Sequence, residues 1–503
     1  MKATIIKMAL LISMAMAGPT LADPAFKDRA GGLPIAHQYT GGWTHFVGGG
    51  VAIMDCNGDG RPDLYAAGGD SPAHLFINTT REPGDPITFA LGAAPDISET
   101  TGAYPLDIDG DGNLDLAVLR VGPDVLLRGH GDCTFSDASA EWGFAPRDAW
   151  TTAFTATWEK GQSRPTLVFG HYVDRANPKG PFGACDTSDL YRPVGDKYAA
   201  PEVIKPGFCT LSMLISDWQR NGTPELRISN DRHYYVKGGY EQMFHLNPLA
   251  ERDKDWPRFS LWGMGIASQD ITGDGLPDIM MTSMGDQLMQ INTGAGFVNA
   301  PYSIGTYAQI PFNGDDGRPS TGWHAEFGDI DNDGRMDLFI AKGNVEEMPS
   351  NAMIDPNNLL MQKPDGTFAE KADVAGIDTR ARSRGAGLAD LDGDGRLDLV
   401  VINRRAPMEV WQNVTENTGH WLAVDPHMST NTRAVGAWIE VRAGGKTTAR
   451  EVTVGGGHAS GQALPLHFGL GENTKAELRV IWPDGVTSPW QTVQVEQMVE
   501  VAR

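Results

Sequence analysis

Asp107, Asp109 and Asp111 stand on alternate positions of the run DIDGDGNLDLAVL, with Gly112 after the third and Asp115 closing the set ahead of an apolar stretch. Carboxylates this close repel one another unless a cation sits among them. Oxygen ligands at loop positions one, three and five, with glycine at six, are how a short loop wraps Ca²⁺. The last carboxylate falls at position nine, not at the twelfth position used by a helical calcium hand, and the residues after it alternate as a strand does. The chemistry is hard-cation coordination in a turn between two strands.

The pattern returns as DCNGDGRPD, DITGDGLPD, DIDNDGRMD and DLDGDGRLD. Its further ligand positions are Asp55, Asn57, Asp59 and Asp63; Asp270, Thr272, Asp274 and Asp278; Asp329, Asp331, Asp333 and Asp337; and Asp390, Asp392, Asp394 and Asp398. A single acidic Asp-Gly loop reads equally well as a solvated turn, but matched recurrence does not. The expectation is about five Ca²⁺ sites, the weakest at the copy carrying Thr272.

Each loop must be held by a strand on either side. A small, apolar run precedes it (GGGVAIMD, GMGIASQD, GAGLADLD) and another follows; then come HLFIN, VLLRG, LMQIN or NLLMQ, and a closing segment such as DGTFAEKADVAGI. Four strands per repeat, in repeats of 40 to 50 residues or slightly more, predict an all-β fold of the propeller type. SDWQRNGTPELRIS and the stretch near Thr157 are degenerate copies with too few carboxylates to bind metal, and they bring the count to seven blades. The seventh repeat ends at Asn413 without its fourth strand, and AFKDRAGGLPI near the N-terminus matches the missing piece, so the first residues are expected to close the ring.

The chain has 503 residues, 61 Gly, 32 Pro and a formal charge of −23. That acidity argues against nucleic acid, because no segment supplies a basic footprint. Residues 1–22 read as a signal peptide, with Lys2 and Lys7, a short apolar segment and small residues before Asp23. No segment is long enough to span a membrane, so the expected product is an exported, soluble protein. Its four cysteines are expected to be bridged. Three pairings are possible; Cys185 and Cys209 bracket a Gly/Pro-rich insertion, which leaves Cys56 with Cys133.

The acidic repeats resemble the FG-GAP and VCBS repeats of integrin alpha chains and many exported bacterial proteins. Residues 419–503, with GHWLAV, AVGAWIEVRAGG, REVTVGGGHASG and LRVIWPDG, resemble the ASPIC and UnbV domain. The combination is similar to the bacterial relatives of cartilage acidic protein. The resemblance implies a calcium-binding seven-bladed β-propeller over residues 23–415 followed by a small β-rich domain. GGGHASG around His458 reads as a Gly-rich hairpin, since no GxSxG, HExxH or P-loop accompanies it.

No catalytic constellation is present in the sequence, so a binding or adhesion role comes first and a lyase or hydrolase acting on acidic polysaccharide second. In an up-and-down blade successive connections alternate between faces, so the face opposite the calcium loops carries its own residue set. There Arg232, His233, Tyr234, Trp323, His324, Arg384 and Arg404 are the candidates for gripping an anionic glycan or protein partner.

Overall fold

The computed structural model describes residues 23–503 apart from 178–183, 232–237, 254, 309 and 314–316. The leader read at residues 1–22 lies outside the described residues. Around the first acidic loop, Val51–Met54 and Asp63–Ala66 pair antiparallel with Met54 opposite Asp63, and every residue of both is buried. Burial on both faces is why these strands read as continuous small and apolar runs and not as alternations. His74–Asn78 and Phe89–Leu91 complete a four-stranded sheet.

Among the described residues seven such four-stranded arrangements follow one another, their first strands being Val51–Met54, Thr100–Leu106, Ala149–Thr157, Thr210–Ser216, Gly263–Gln269, Gly322–Gly328 and Arg382–Ala389. The second and third are also joined edge to edge, Gly122 opposite Ala149. Phe26–Asp28 supplies the outer strand of the seventh, Phe26 opposite Asn413, as the N-terminal match predicts. Each sheet shares an apolar core with the next; Leu116 and Val118 pack with Ala52 and Leu75, for example. The seventh shares one with the first through Ala389, Val400, Val51 and Leu64.

Both expected disulfides are present, Cys56 to Cys133 with Cα atoms 4.8 Å apart and Cys185 to Cys209 at 4.6 Å. Among the described residues no helix is long and apolar enough to cross a membrane.

Residues 420–502 form two further sheets, one of Leu466–Gly471, His420–His427 and Gln497–Ala502, the other of Lys446–Glu451, Trp438–Ala443, Lys475–Ile481 and Gln491–Gln494. They enclose Leu422, Ile439, Phe468, Leu478 and Trp482. Between Glu451 and Leu466 the chain leaves this module, and here the expected hairpin gives way to a different structure. Val454 bridges to Ala156, Gly455 to Leu214, Gly457 to Ile266 and Ser460 to Ala103, while Gly461 to Ala463 run parallel to Ala52 to Met54. His458 meets His324, and Ser460 lies against Gly385. The strap thus touches the first strand of all seven sheets. Its backbone is satisfied by other strands, not by a turn of its own.

Candidate functional site

The five acidic loops share one hydrogen-bonded frame. The first carboxylate accepts two loop amides: Asp107 takes Gly110 at 2.7 Å and Gly112 at 2.8 Å, and Asp270 takes Gly273 and Gly275 at the same distances. The ninth-position carboxylate accepts the amide after the first ligand and an amide at the end of the third strand. For Asp115 these are Ile108 at 2.7 Å and Gly129 at 2.9 Å; for Asp398 they are Leu391 at 2.8 Å and Asn413 at 2.7 Å. Positions one and nine therefore shape the loop, and the position-five carboxylate accepts the amide two residues on, as Asp111 does from Asn113 at 2.8 Å.

In three loops the carboxylates converge. Oxygens of Asp107, Asp109 and Asp115, of Asp329, Asp331 and Asp333, and of Asp390, Asp392 and Asp398 each lie within 4.8 Å of one another. Burial, reinforced by neighbouring carboxylates, pushes Asp115 up to about 8 and Asp390 up to about 7, and holds Asp329 well above the usual range. Asp109 Oδ1, Asp331 Oδ1 and the neighbouring Asn332 Oδ1 are buried without a hydrogen-bond partner. In the loops at Asp55 and Asp270 the carboxylates do not converge this closely. A further acidic group, Cys56, Asp63 and Cys133, is built on the disulfide and offers no thiolate. In the degenerate loop Glu225 takes the place of the ninth Asp and pairs with Arg252 at 2.8 Å.

Sequence reasoning missed the amide that ends the third strand. Asn78 Nδ2 donates to Leu391 O at 2.8 Å, Asn292 to Trp218 O at 2.7 Å, Gln362 to Ile271 O at 3.0 Å and Asn413 to Ile330 O at 2.9 Å. Each ties a sheet to the loop of the sheet before it. The signal was visible: the third-strand runs HLFIN, LMQIN, NLLMQ and MEVWQN all end on Asn or Gln.

The C-terminal module hydrogen-bonds to three of these loops. Thr432 donates its hydroxyl to Asp107 Oδ2 at 2.7 Å, and Lys446 Nζ donates to Gly334 O at 2.6 Å. Gly419 and Gly471 donate amides to Asp331 O and Asn332 O at 2.9 and 2.8 Å, and His467 Nε2 lies 3.1 Å from Gly395 O.

On the opposite face the expected anchors divide. Arg232, His233 and Tyr234 lie outside the described residues. Trp323, Arg384 and Arg404 are buried, which corrects their reading as surface grips, and His324 is buried with them. The reason is a need for donors. The loop at residues 41–46 has carbonyls with no ladder partner, and Arg384 Nε takes Phe46 O at 2.9 Å while Arg404 takes His45 O at 2.6 Å and Gly41 O at 3.0 Å. The Arg384 guanidinium also lies over the Trp323 ring at 4.1 Å, and His324 Nδ1 accepts the His458 amide at 3.1 Å. What this clamp presents is Trp43, 50% exposed and resting on Phe46 with ring centroids 4.5 Å apart. Arg405, exposed beside it, donates to Gly41 O at 3.0 Å.

An FG-GAP-like repeat model matches residues 55–118 and 270–340, and an ASPIC and UnbV model matches residues 427–503. Cartilage acidic protein 1 of Xenopus tropicalis is 26% identical over 232 residues, 44% of this chain and 34% of that protein. Its Homo sapiens counterpart is 26% identical over 163 residues, 31% of this chain and 24% of that protein. The chain spans about a third or less of the length of these curated relatives. Among solved structures, BBS1N in complex with ARL6DN aligns with a TM-score of 0.47 at 9% identity, covering 79% of this chain and 98% of that one. An Agrocybe aegerita lectin recognising non-reducing terminal N-acetylglucosamine aligns with a TM-score of 0.41 at 15% identity, covering 73% and 94%.

Proposed function

We propose that this chain, which carries FG-GAP-like repeats followed by an ASPIC and UnbV domain, is an exported calcium-binding protein that recognises a glycan or protein partner. The seven sheets are read as the blades of one β-propeller closed by its N-terminal strand. Calcium fits the loops on the chemistry of their donors: all-oxygen sets, convergent carboxylates, and buried oxygens on Asp109 and Asp331 with no other partner. Asp107, Asp109, Asp111 and Asp115, and their counterparts in the other four loops, would hold it, and the ion would offset their mutual repulsion.

One observation carries the recognition reading. The C-terminal module sits on the loop face and its strap runs along the first strands of the sheets, while the opposite face presents Trp43 on a loop braced by Arg384, Arg404 and Arg405. An exposed tryptophan on a rigid loop, flanked by arginine, has the composition of a binding hot spot. Arg405, ion-paired with Glu346 and bonded to Gly41 O, would grip a carboxylate or sulfate by exchanging Glu346 for it. The test is an array of sulfated, uronate and neutral glycans together with extracellular matrix proteins, probed with the wild type and with a Trp43→Ala, Arg405→Ala variant. Loss of a wild-type signal in the variant supports the placement; an equal signal moves the site elsewhere.

A further inference from the structure

We propose that cation occupancy of the loops beginning at Asp107, Asp329 and Asp390 is the latch that holds the C-terminal module on the ring and its strap along the first strands of the sheets. The inference rests on the calcium reading above and deepens it by assigning what the ion regulates. Of the five acidic loops, the three whose carboxylates converge are the ones whose own atoms hydrogen-bond to the module; the degenerate loop meets it without a carboxylate cluster, Glu451 accepting the Asp217 amide at 2.8 Å and Glu440 pairing with Arg220 at 2.6 Å. Among the described residues no hydrogen bond joins the module to the Asp55 loop, where the carboxylates do not converge.

The manner of contact matters as much as its place. On these three loops, apart from the Thr432 hydroxyl on Asp107, the module reads backbone carbonyls: Asp331, Asn332, Gly334 and Gly395. Those carbonyls point outward only while the loop is wound. Winding places three carboxylates within 4.8 Å, and Asp331 and Asn332 each keep a buried side-chain oxygen with no protein partner. A cation stabilises that conformation, and without one the carboxylates push the loop open. The backbone groups that the module recognises then move together.

The strap depends on the same seat, because it leaves and re-enters the module between Glu451 and Leu466. Along the first strands Gly456 donates to Met213 O at 2.6 Å and Gly457 to Ile266 O at 2.7 Å. At the tip His458 Nε2 accepts the Gly48 amide at 3.1 Å, two residues from Phe46 and the Trp43 loop. Calcium on one face is thereby coupled to the shape of the recognition face on the other.

Hydrogen exchange on the full chain tests the latch, with calcium binding measured in parallel by calorimetry. Removal of calcium with EGTA is expected to raise exchange of the strap amides Gly456 and Gly457 roughly tenfold or more, while the second-strand amides of Ile228 and Met281 remain protected. Thr432→Val with Lys446→Met, which leaves every calcium ligand in place, is expected to expose the strap even in calcium. Strap exchange that stays unchanged after calorimetry shows the ion gone, or that rises only in step with the whole ring, overturns the latch and leaves the calcium reading standing. Calorimetry that detects no calcium binding overturns both.

Discussion

Ala103 donates its amide to the Ala459 carbonyl at 3.3 Å, joining the second sheet to the strap of the C-terminal module. The approach is possible because the neighbouring position is Gly102, where a Cβ would overlap that same carbonyl; Gly50, on the first sheet, faces it in the same way. Gly102→Val is therefore expected to displace the strap, costing about 1 to 3 kcal/mol by overpacking. Gly31→Ala, with open space around it, is the control and should be neutral. Urea unfolding of both variants checks the contrast, and an unaffected Gly102→Val would mean that the strap does not depend on the close approach at Gly102.

These glycines mark the limit of what the sequence discloses. The acidic loops between strands, the four-strand repeat and the pairing of the N-terminal strand with the seventh sheet are legible, since each depends on local spacing or on a chain end matched to a gap, and the disulfide pairs follow from the Cys185 to Cys209 insertion and elimination. The strap is not. GGGHASG carries the composition of a turn, and it meets strands distant in sequence, partly through glycines such as Gly102, Gly265 and Gly385 whose small size reads as ordinary strand patterning. Arg384 and Arg404 misled for a related reason: an arginine saturated by loop carbonyls and one facing solvent look alike until the loop at residues 41–46 is placed.

Within one loop, positions five and nine should behave differently. Asp115 accepts two buried amides, from Ile108 and Gly129, so Asp115→Asn turns an amide group against one of them and should cost about 2 to 4 kcal/mol with or without calcium. Asp111 is exposed and accepts only the Asn113 amide, at 2.8 Å. Asp111→Asn is expected to weaken calcium binding by calorimetry while leaving the melting temperature in EGTA at the wild-type value. Equal melting losses in EGTA for the two variants would contradict the division between framing and coordinating positions.

The amide at the end of the third strand predicts a stability effect at a junction between sheets. Asn413 is buried; its Nδ2 donates to Ile330 O and Leu397 O, and its Oδ1 accepts the Thr415 amide at 3.0 Å. Asn413→Ala strands these groups and is expected to cost about 2 to 4 kcal/mol, more than a buried residue of that size loses through packing alone. Since the same residue holds the sixth-sheet loop to the seventh, proteolysis of the variant should begin at that junction. A denaturation midpoint within error of wild type would rule out this role.

Glu370 gives a pH dependence away from the metal loops. Its Oε1 accepts the amides of Leu359 at 3.0 Å and Ala372 at 2.9 Å, and its Oε2 meets the Asn358 side chain. Burial pushes the carboxyl up from 4.5 to about 7, against the opposing pull of these hydrogen bonds and of Lys342. A folded-state value above the unfolded one means that the folded chain keeps a proton the unfolded chain has released. Its contribution is therefore complete below about pH 4.5, falls as pH rises toward 7, and levels off above. Glu370→Gln stays neutral throughout, and Asn358 Oδ1, which has no partner, can turn to accept from the new amide. The variant should match the wild type near pH 5 and exceed it at pH 8 by roughly 2 to 3 kcal/mol, at 1.36 kcal/mol per unit. Urea midpoints at the two pH values measure the gap, and a gap that does not widen with pH would mean that Glu370 is ionised in the folded protein.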